Sequence, residues 1–123
     1  MLRVVVITAA ALVGAAAFAF ADEQSDLDKD CVGGTYEMVD CINAKTAIWD
    51  KRLNAAYSQA LKDAEPQQRG LLREAQRAWI KFRDAQCDYI GAEQGSIARI
   101  DYAECLRSMT EKRTRELGGS EGK

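Results

Sequence analysis

The sequence contains no histidine, and this absence excludes several kinds of active site. Without an imidazole the chain can build neither a Ser-His-Asp triad nor a Cys-His pair, and it has no histidine ligand for zinc. A glycine-rich phosphate loop is also missing. Carboxylates are plentiful, yet no two of them are marked as a glycosidase pair. The sequence therefore predicts a protein that is not an enzyme, with no catalytic residue, metal site or cofactor.

A strong excess of one charge is absent as well. The 123 residues include 17 basic and 19 acidic side chains, which give a formal net charge of −2. A general nucleic-acid-binding protein would show a marked basic excess, because it must neutralise phosphates. The mild acidity argues against that class. It is compatible with a cationic partner without requiring one.

The longest uncharged run lies at the N-terminus and predicts export. It extends from Val4 to Ala21, follows the single positive charge of Arg3, and ends in small residues, as in a secretory signal peptide. Cleavage fits after Ala19 or after Ala21, and we favour the second. The alternative is a retained membrane anchor, for which the run is near the lower length limit. We expect residues 1–21 to be removed, leaving a protein in the periplasm or secreted, with no membrane attachment.

Removing the first 21 of the 123 residues leaves 102, enough for one small domain. We divide this remainder into an N-terminal arm at 22–34, a helical domain at 35–117 and a frayed tail at 118–123. Domains of this size are marginally stable and often need covalent cross-links.

Four cysteines remain after cleavage, and an even number in a small exported chain predicts two disulfides. A structural zinc site is the competing interpretation, but its ligands usually come in closely spaced pairs. Here the spacings are ten, forty-six and eighteen, with no C-x-x-C pair. The disulfide pairing stays open among three connectivities, because folding the chain back brings the last three cysteines to one end of the domain. The cysteines are Cys31, Cys41, Cys87 and Cys105.

Apolar residues recur at helical spacing in three segments, and strand patterns are absent. The segments are about 35–64, 67–90 and 97–117. Pro66 separates the first two, and glycines including Gly95 separate the last two. Short connections make neighbouring helices antiparallel. The predicted fold is therefore all-α, a three-helix antiparallel bundle or hairpin linked by two disulfides.

Most aromatic side chains lie at positions that the helical spacing assigns to the core. We expect them to pack against one another, while a cage for a ligand is the alternative. The residues are Trp49, Tyr57, Trp79, Phe82 and Tyr89.

Five polar residues are predicted to lie at one level of the bundle around Arg113, which interrupts the apolar stripe of the last helix. A buried guanidinium needs a carboxylate and filled hydrogen-bond donors. We therefore expect a network that holds three helices in register, with a ligand-binding pocket as the alternative. The residues are Asp50, Asn54, Gln76, Arg83 and Arg113.

Basic residues recur every four positions on the second helix, at Arg69, Arg73, Arg77 and Lys81. We call this set the basic ridge. It is either a solvated face balanced by neighbouring carboxylates, or a contact surface for acidic groups on a partner.

These residues belong to motifs that resemble the lysozyme-inhibitor LprI-like family. The resemblance covers residues 31–117, and the block from 72 to 87, which includes Trp79, is its specific part. The motifs read Asp50-x-x-Leu53-Asn54-x-x-Tyr57, Leu72-Arg73-x-Ala75-Gln76-Arg77-Ala78-Trp79-Ile80-x-Phe82-Arg83-Asp84-Ala85-x-Cys87, Gly95-Ser96, and Cys105-Leu106-x-x-x-Thr110-x-x-Arg113-x-x-x-Leu117.

The resemblance implies an exported helical domain of the bacterial cell envelope. It also implies binding and inhibition of lysozyme, by occlusion of the cleft in our interpretation. Because this chain has no cysteine near the predicted cleavage site, we do not expect a lipid anchor. The alternative function is an envelope adaptor or structural module that binds another protein and inhibits nothing. An unrecognised enzyme is a third alternative that no motif supports.

Overall fold

The computed structural model describes residues 13–118, with side chains from Ala19 onward, and this part of the chain is helical with short connections. Its helices are α1 at Val13–Asp28, α2 at Thr35–Asp63, α3 at Pro66–Gly91 and α4 at Ile97–Gly118. The all-α class is confirmed, and α2 to α4 match the three predicted segments. The predicted number of helices is wrong, since the described residues form four.

Helix α1 was missed because its second half is polar and acidic, a composition that favours a loose arm. Alanine-rich sequence precedes this half, and alanine has the highest helix propensity. Within the polar half, Gln24 donates a hydrogen bond to Asp28 over 2.9 Å. Glu23 lies 2.6 Å from Lys51 and 3.8 Å from Arg52 on α2. The arm is therefore helical up to Asp28 and held to α2 by ion pairs.

The predicted signal peptide at 1–21 and tail at 118–123 fall largely outside the described residues and stay predictions. Helix α1 runs across the predicted cleavage point after Ala21, and α4 ends at Gly118. Across the part of the chain that the structure describes, no helix is both long and apolar enough to cross a bilayer.

Helices α2 and α4 run parallel to each other. Near their N-termini, the Arg99 guanidinium donates to the Tyr36 hydroxyl over 3.2 Å. Further along both helices, the Thr114 hydroxyl lies 3.4 Å from the Trp49 carbonyl oxygen. The two pairs are separated by similar lengths of chain, so the helices stay in step.

Helix α3 runs in the opposite direction to α2 and α4. Pro66 is its first residue, which suits a ring that fixes φ and needs no N–H donor. The Glu65 backbone N–H donates to the Gln68 side-chain oxygen over 3.2 Å and completes this start. At the other end the chain turns through Gly95, whose φ of +95° lies in the left-handed region that favours glycine. Both predicted helix breaks are therefore where the chain reverses.

The core lies mainly between α2 and α4. Helix α2 contributes three buried residues and α4 contributes five, whereas α3 contributes only two. Helix α3 is therefore the least embedded of the three long helices. The buried residues are Ile42, Trp49, Leu53, Gln76, Cys87, Ala98, Ala103, Cys105, Thr110 and Thr114.

Two aromatic residues that we expected in the core are exposed instead. Phe82 is 58% exposed and Tyr89 is 76% exposed, both on α3. Helical spacing finds apolar positions on α3 but does not say which of them meet another helix. The inward positions belong to Gln76 and Cys87, because these bond to α4. Of the three α3 aromatics expected in the core, Trp79 is half-buried beside α4, and the prediction is wrong for Phe82 and Tyr89.

The two predicted disulfides are present as Cys31–Cys41 and Cys87–Cys105. The first ties the segment after α1 to α2, and the second joins the end of α3 to α4. The sulfur of Met109 packs 3.8 Å and 3.9 Å from the sulfurs of Cys87 and Cys105. The structure therefore selects one of the three connectivities that the sequence left open.

Candidate functional site

Three of the five predicted network residues meet around Trp79 where α3 crosses α4. Gln76, Trp79 and Arg83 follow one another at helical spacing on α3, and Arg113 reaches them from α4. We call these four residues the Trp79 cluster. Arg113 Nε donates to the Gln76 side-chain oxygen over 3.0 Å. Gln76 is 7% exposed, so this bond satisfies an amide oxygen that would otherwise be costly to bury.

Two guanidinium groups lie over the indole of the same cluster. The distance to the Trp79 ring centroid is 5.2 Å for Arg83 and 5.9 Å for Arg113. Each contact of this kind contributes about 0.5–1 kcal/mol when partly exposed. The cluster therefore joins α3 to α4 through stacking as well as hydrogen bonding.

Carboxylates balance both arginines of the Trp79 cluster. Arg83 contacts Asp84 at 2.9 Å and approaches Asp50 at 3.9 Å, while Arg113 contacts Glu116 at 3.1 Å. Asp50 is thus at the margin of the cluster. Sequence reasoning missed Glu116, although its position three residues after Arg113 was the available signal.

Asn54, the remaining predicted network residue, is exposed and forms no side-chain hydrogen bond with the Trp79 cluster. No buried side-chain polar atom of the cluster lacks a hydrogen-bond partner among the described residues. This arrangement suits a device that fixes the register of α3 on α4, and we assign it that structural role.

Three members of the basic ridge lie on the outer side of α3. Arg73, Arg77 and Lys81 are exposed, and none forms an ion pair with another residue of the described part of the chain. Eight residues separate the first from the last, about 12 Å along a helix. The ridge therefore presents a short row of cations that is available to an external acidic group.

Arg69, the fourth predicted member of the ridge, is engaged differently. It is half-buried, and its Nε lies 3.1 Å from the carbonyl oxygens of both Leu61 and Ala64 at the end of α2. Carbonyls at a helix C-terminus have no partner within the helix, so a cation is favourable there. Arg69 stabilises the α2–α3 connection, and the exposed ridge consists of the other three residues.

A second group of arginines around a tryptophan lies between α2 and α4. Sequence reasoning missed this group. The guanidinium carbons of Arg52 and Arg115 lie 5.0 Å and 5.1 Å from the Trp49 ring centroid. A cavity of about 490 Å³ adjoins this group between α1, α2 and α4. Phe20 lines it, so the predicted cleavage would remove part of its wall. The helical spacing of Trp49 and Arg52 was the sequence signal that could have predicted their contact.

An ion-pair ladder runs along α4 and reaches this cavity at Arg115. Arg107 donates to Glu104 over 2.8 Å and to Glu111 over 2.6 Å, and Arg115 contacts Glu111 at 2.9 Å. Burial tends to raise the pKa of Glu111, but the hydrogen bonds from Arg115 and Arg107 outweigh it and lower that pKa. The hydrogen bonds that Arg107 donates to the Glu104 carboxylate raise the pKa of Arg107. All four residues belong to one helix, so the ladder chiefly supports α4 itself.

The described residues contain no group of three histidine, cysteine, aspartate or glutamate side chains that could hold a metal ion. The fold and these surfaces define a small helical domain with two disulfides, whose outward features are basic and apolar faces on α3.

A profile of the family described as "Lysozyme inhibitor LprI" matches residues 28–117. The match spans most of the chain, so the chain belongs to this family. The resemblance carried by the block at 72–87 is thereby confirmed.

Two curated relatives are similar to this chain. "Uncharacterized protein R02472" of Rhizobium meliloti (strain 1021) is 42% identical over 67 residues, which cover 53% of this chain and 42% of that protein. "Uncharacterized protein YecT" of Escherichia coli (strain K12) is 28% identical over 94 residues, which cover 63% of this chain and 58% of that protein. The chain thus spans about half the length of these relatives. No solved structure matches it.

Proposed function

We propose that this protein is exported, binds lysozyme and inhibits it by occluding the substrate cleft. The observation that carries the proposal is the family match over residues 28–117. The uncharged N-terminal run supports export to the periplasm or beyond, because it has the arrangement of a secretory signal.

The charge balance of the chain supports an encounter with lysozyme. The formal net charge is −2, and it becomes −3 if Arg3 leaves with the signal peptide. Many lysozymes are cationic, and opposite net charges speed diffusional association. This contribution affects the rate of association more than its final strength.

The exposed ridge on α3 supplies the local contact in this proposal. Lysozyme cleaves its substrate with two carboxyl groups that flank the scissile bond. A protein that fills the cleft must place compatible groups against those carboxyls. Arg73 and Arg77 are exposed and free of ion pairs within the described chain, and arginine forms paired hydrogen bonds with carboxylates. We assign these two residues to the cleft-facing surface.

The proposal is tested by titrating the purified, oxidised protein into lysozymes of more than one type acting on bacterial cell walls. We expect saturable inhibition of at least one type near equal molar amounts. If no type is inhibited, the proposal fails and the adaptor function takes its place.

A charge-reversal pair then locates the surface. Changing both Arg73→Glu and Arg77→Glu should weaken inhibition at least tenfold, because two attractive contacts become repulsive. The matched control changes Lys62→Glu and Lys112→Glu, two exposed cations on α2 and α4, and alters the net charge by the same amount. Equal losses in both variants would show that only net charge matters and would remove the ridge from the account.

A further inference from the structure

Helix α3 has an exposed apolar stripe in addition to its contact with α4. Its six members are spaced four, three, four, three and four residues apart, the alternation of a coiled-coil seam. Leu71 is 67% exposed, Phe82 is 58% exposed and Tyr89 is 76% exposed, and the three alanines are exposed as well. We call this set the α3 seam. It consists of Leu71, Ala75, Ala78, Phe82, Ala85 and Tyr89.

The α3 seam is distinct from the face that packs on α4. With 3.6 residues per turn, its mean direction lies about 120–140° around the helix from Gln76 and Arg83. Those two residues belong to the Trp79 cluster, which joins α3 to α4. Helix α3 therefore carries two packing faces, and within the described residues only one of them is covered.

We propose that a second copy of this chain covers the α3 seam, with the two α3 helices antiparallel about a two-fold axis. The proposal goes beyond lysozyme inhibition and does not depend on it. The first support is that the seam is self-complementary in antiparallel registers seven residues apart, one of which opposes its first four members to one another. Setting Phe82 against Leu71 of the second copy places Ala75 opposite Ala78 of that copy. The two-fold axis repeats both contacts, so two large layers flank two small ones.

The alanine layers at the centre of this arrangement allow the helices to approach closely. The distance between packed helices is about 8–10 Å and depends on the side chains at the contact. Small central residues allow an interhelical distance at the short end of that range. Phe82 and Leu71 can then contact each other across the interface.

Charge complementarity selects the same register. Glu74 and Lys81 each immediately precede a seam residue, so they flank the seam on one side. In the proposed register, Glu74 of each copy faces Lys81 of the other. Moving one helix by seven residues in one direction sets Glu74 opposite Asp88 of the second copy, and Lys81 opposite the Lys81 of that copy. Moving it by seven residues in the other direction sets the two Glu74 residues opposite each other. Like charges at these positions disfavour both alternatives.

The flanking charges are available for this contact. Neither Glu74 nor Lys81 forms an ion pair with another described residue, and both are exposed. Arg73 and Arg77 lie about 120–160° around α3 from the seam, so the dimer leaves them uncovered. Of the exposed ridge the dimer uses Lys81 alone, so self-association and the contact of Arg73 and Arg77 with lysozyme can be tested separately.

The interface is small, which sets the expected strength. The seam residues that oppose one another in this register run from Leu71 to Phe82, about 17 Å, with Ala85 and Tyr89 beyond them. So short a helix pair buries less than the roughly 800 Å² per partner of a typical stable complex. We therefore expect a dimer whose population rises with concentration across the micromolar range.

The test is sedimentation equilibrium of the oxidised full chain from roughly 5 to roughly 500 µM, a range that brackets micromolar association. We expect the average mass to rise from monomer toward dimer. Phe82→Glu should abolish the rise. The matched control, Ile97→Glu, also places a carboxylate at an exposed apolar residue, here 53% exposed on α4, and should leave the rise intact. A monomer throughout, or a dimer indifferent to Phe82→Glu, would overturn the proposal.

A charge exchange tests the register by itself. Glu74→Lys alone sets lysine against lysine and should weaken the dimer about three- to tenfold. Adding Lys81→Glu to that variant restores opposite charges across the axis and should return the dissociation constant to within twofold of the original. A double variant as weak as the single one would contradict the antiparallel register.

Discussion

Two threonines on α4 are buried one helical turn apart, yet their hydroxyl groups have different surroundings. Thr114 donates to the carbonyl oxygen of Thr110 over 2.8 Å. The Thr110 hydroxyl oxygen is fully buried and has no hydrogen-bond partner among the residues that the structure describes. A buried unpaired hydroxyl costs free energy, whereas a paired one contributes modestly to stability.

Replacing each threonine by valine should therefore change stability in opposite directions. Thr110→Val should raise the free energy of unfolding by about 1 kcal/mol, because it removes an unpaired hydroxyl at nearly constant volume. Thr114→Val should lower it by about 1 kcal/mol, because a hydrogen bond is lost. Urea denaturation of both variants measures the difference. Losses of equal size at the two positions would show that Thr110 has a partner after all.

At the same scale, residue type predicted some roles better than others. The cations at Arg73 and Arg77 were expected on the surface and are exposed there. Arg69 looked equivalent in the sequence, but the adjoining helix end supplies carbonyl acceptors that only the folded chain brings near. Periodicity on one helix cannot foresee a partner contributed by another.

At the scale of elements, the helix ends were predictable from the sequence. The side of α3 that packs against α4 was not. Pro66 and Gly95 act through local backbone geometry, so the sequence alone locates them. The inward side of α3 depends on Arg113 of α4, which draws the polar Gln76 inside and leaves Phe82 outside. The disulfide pairing was open for a related reason, since three cysteines share one level of the bundle.

The Cys87–Cys105 disulfide should be the main restraint on α3. This helix buries only Gln76 and Cys87, so little apolar packing holds it. Closing a loop of 18 residues stabilises a fold by about 3 kcal/mol, and the ten-residue loop of the other disulfide gives nearly as much. The two cross-links should therefore contribute similar free energies while acting on different helices.

Replacing both Cys87 and Cys105 by alanine should make the backbone amides of α3 exchange with solvent well before those of α2 and α4. Native-state hydrogen exchange measures this directly. The control variant replaces Cys31 and Cys41 by alanine, and there α3 should stay as protected as in the original protein. Equal protection of α3 and α4 in the first variant would mean that the Trp79 cluster alone holds α3.

At the scale of the whole molecule, the parallel α2–α4 pair forms the stable framework, and α3 is laid against it with most of its surface outward. The outward surface has two sides, the exposed ridge and the α3 seam. The family resemblance is the basis for proposing lysozyme as the partner, and the charge balance is compatible with a cationic one. They could not predict the seam, because an exposed apolar stripe and a buried one have the same spacing in a sequence.

The central claim is that the protein fills the substrate cleft of lysozyme. Calorimetric titration of the oxidised protein into lysozyme, with the cleft empty and then filled by a saturating oligosaccharide of N-acetylglucosamine, tests it most directly. We predict saturable binding to the empty enzyme and an apparent Kd that rises in proportion to the oligosaccharide concentration, because both ligands need one site. Binding of unchanged strength to the filled enzyme, or no binding to either form, would contradict the account.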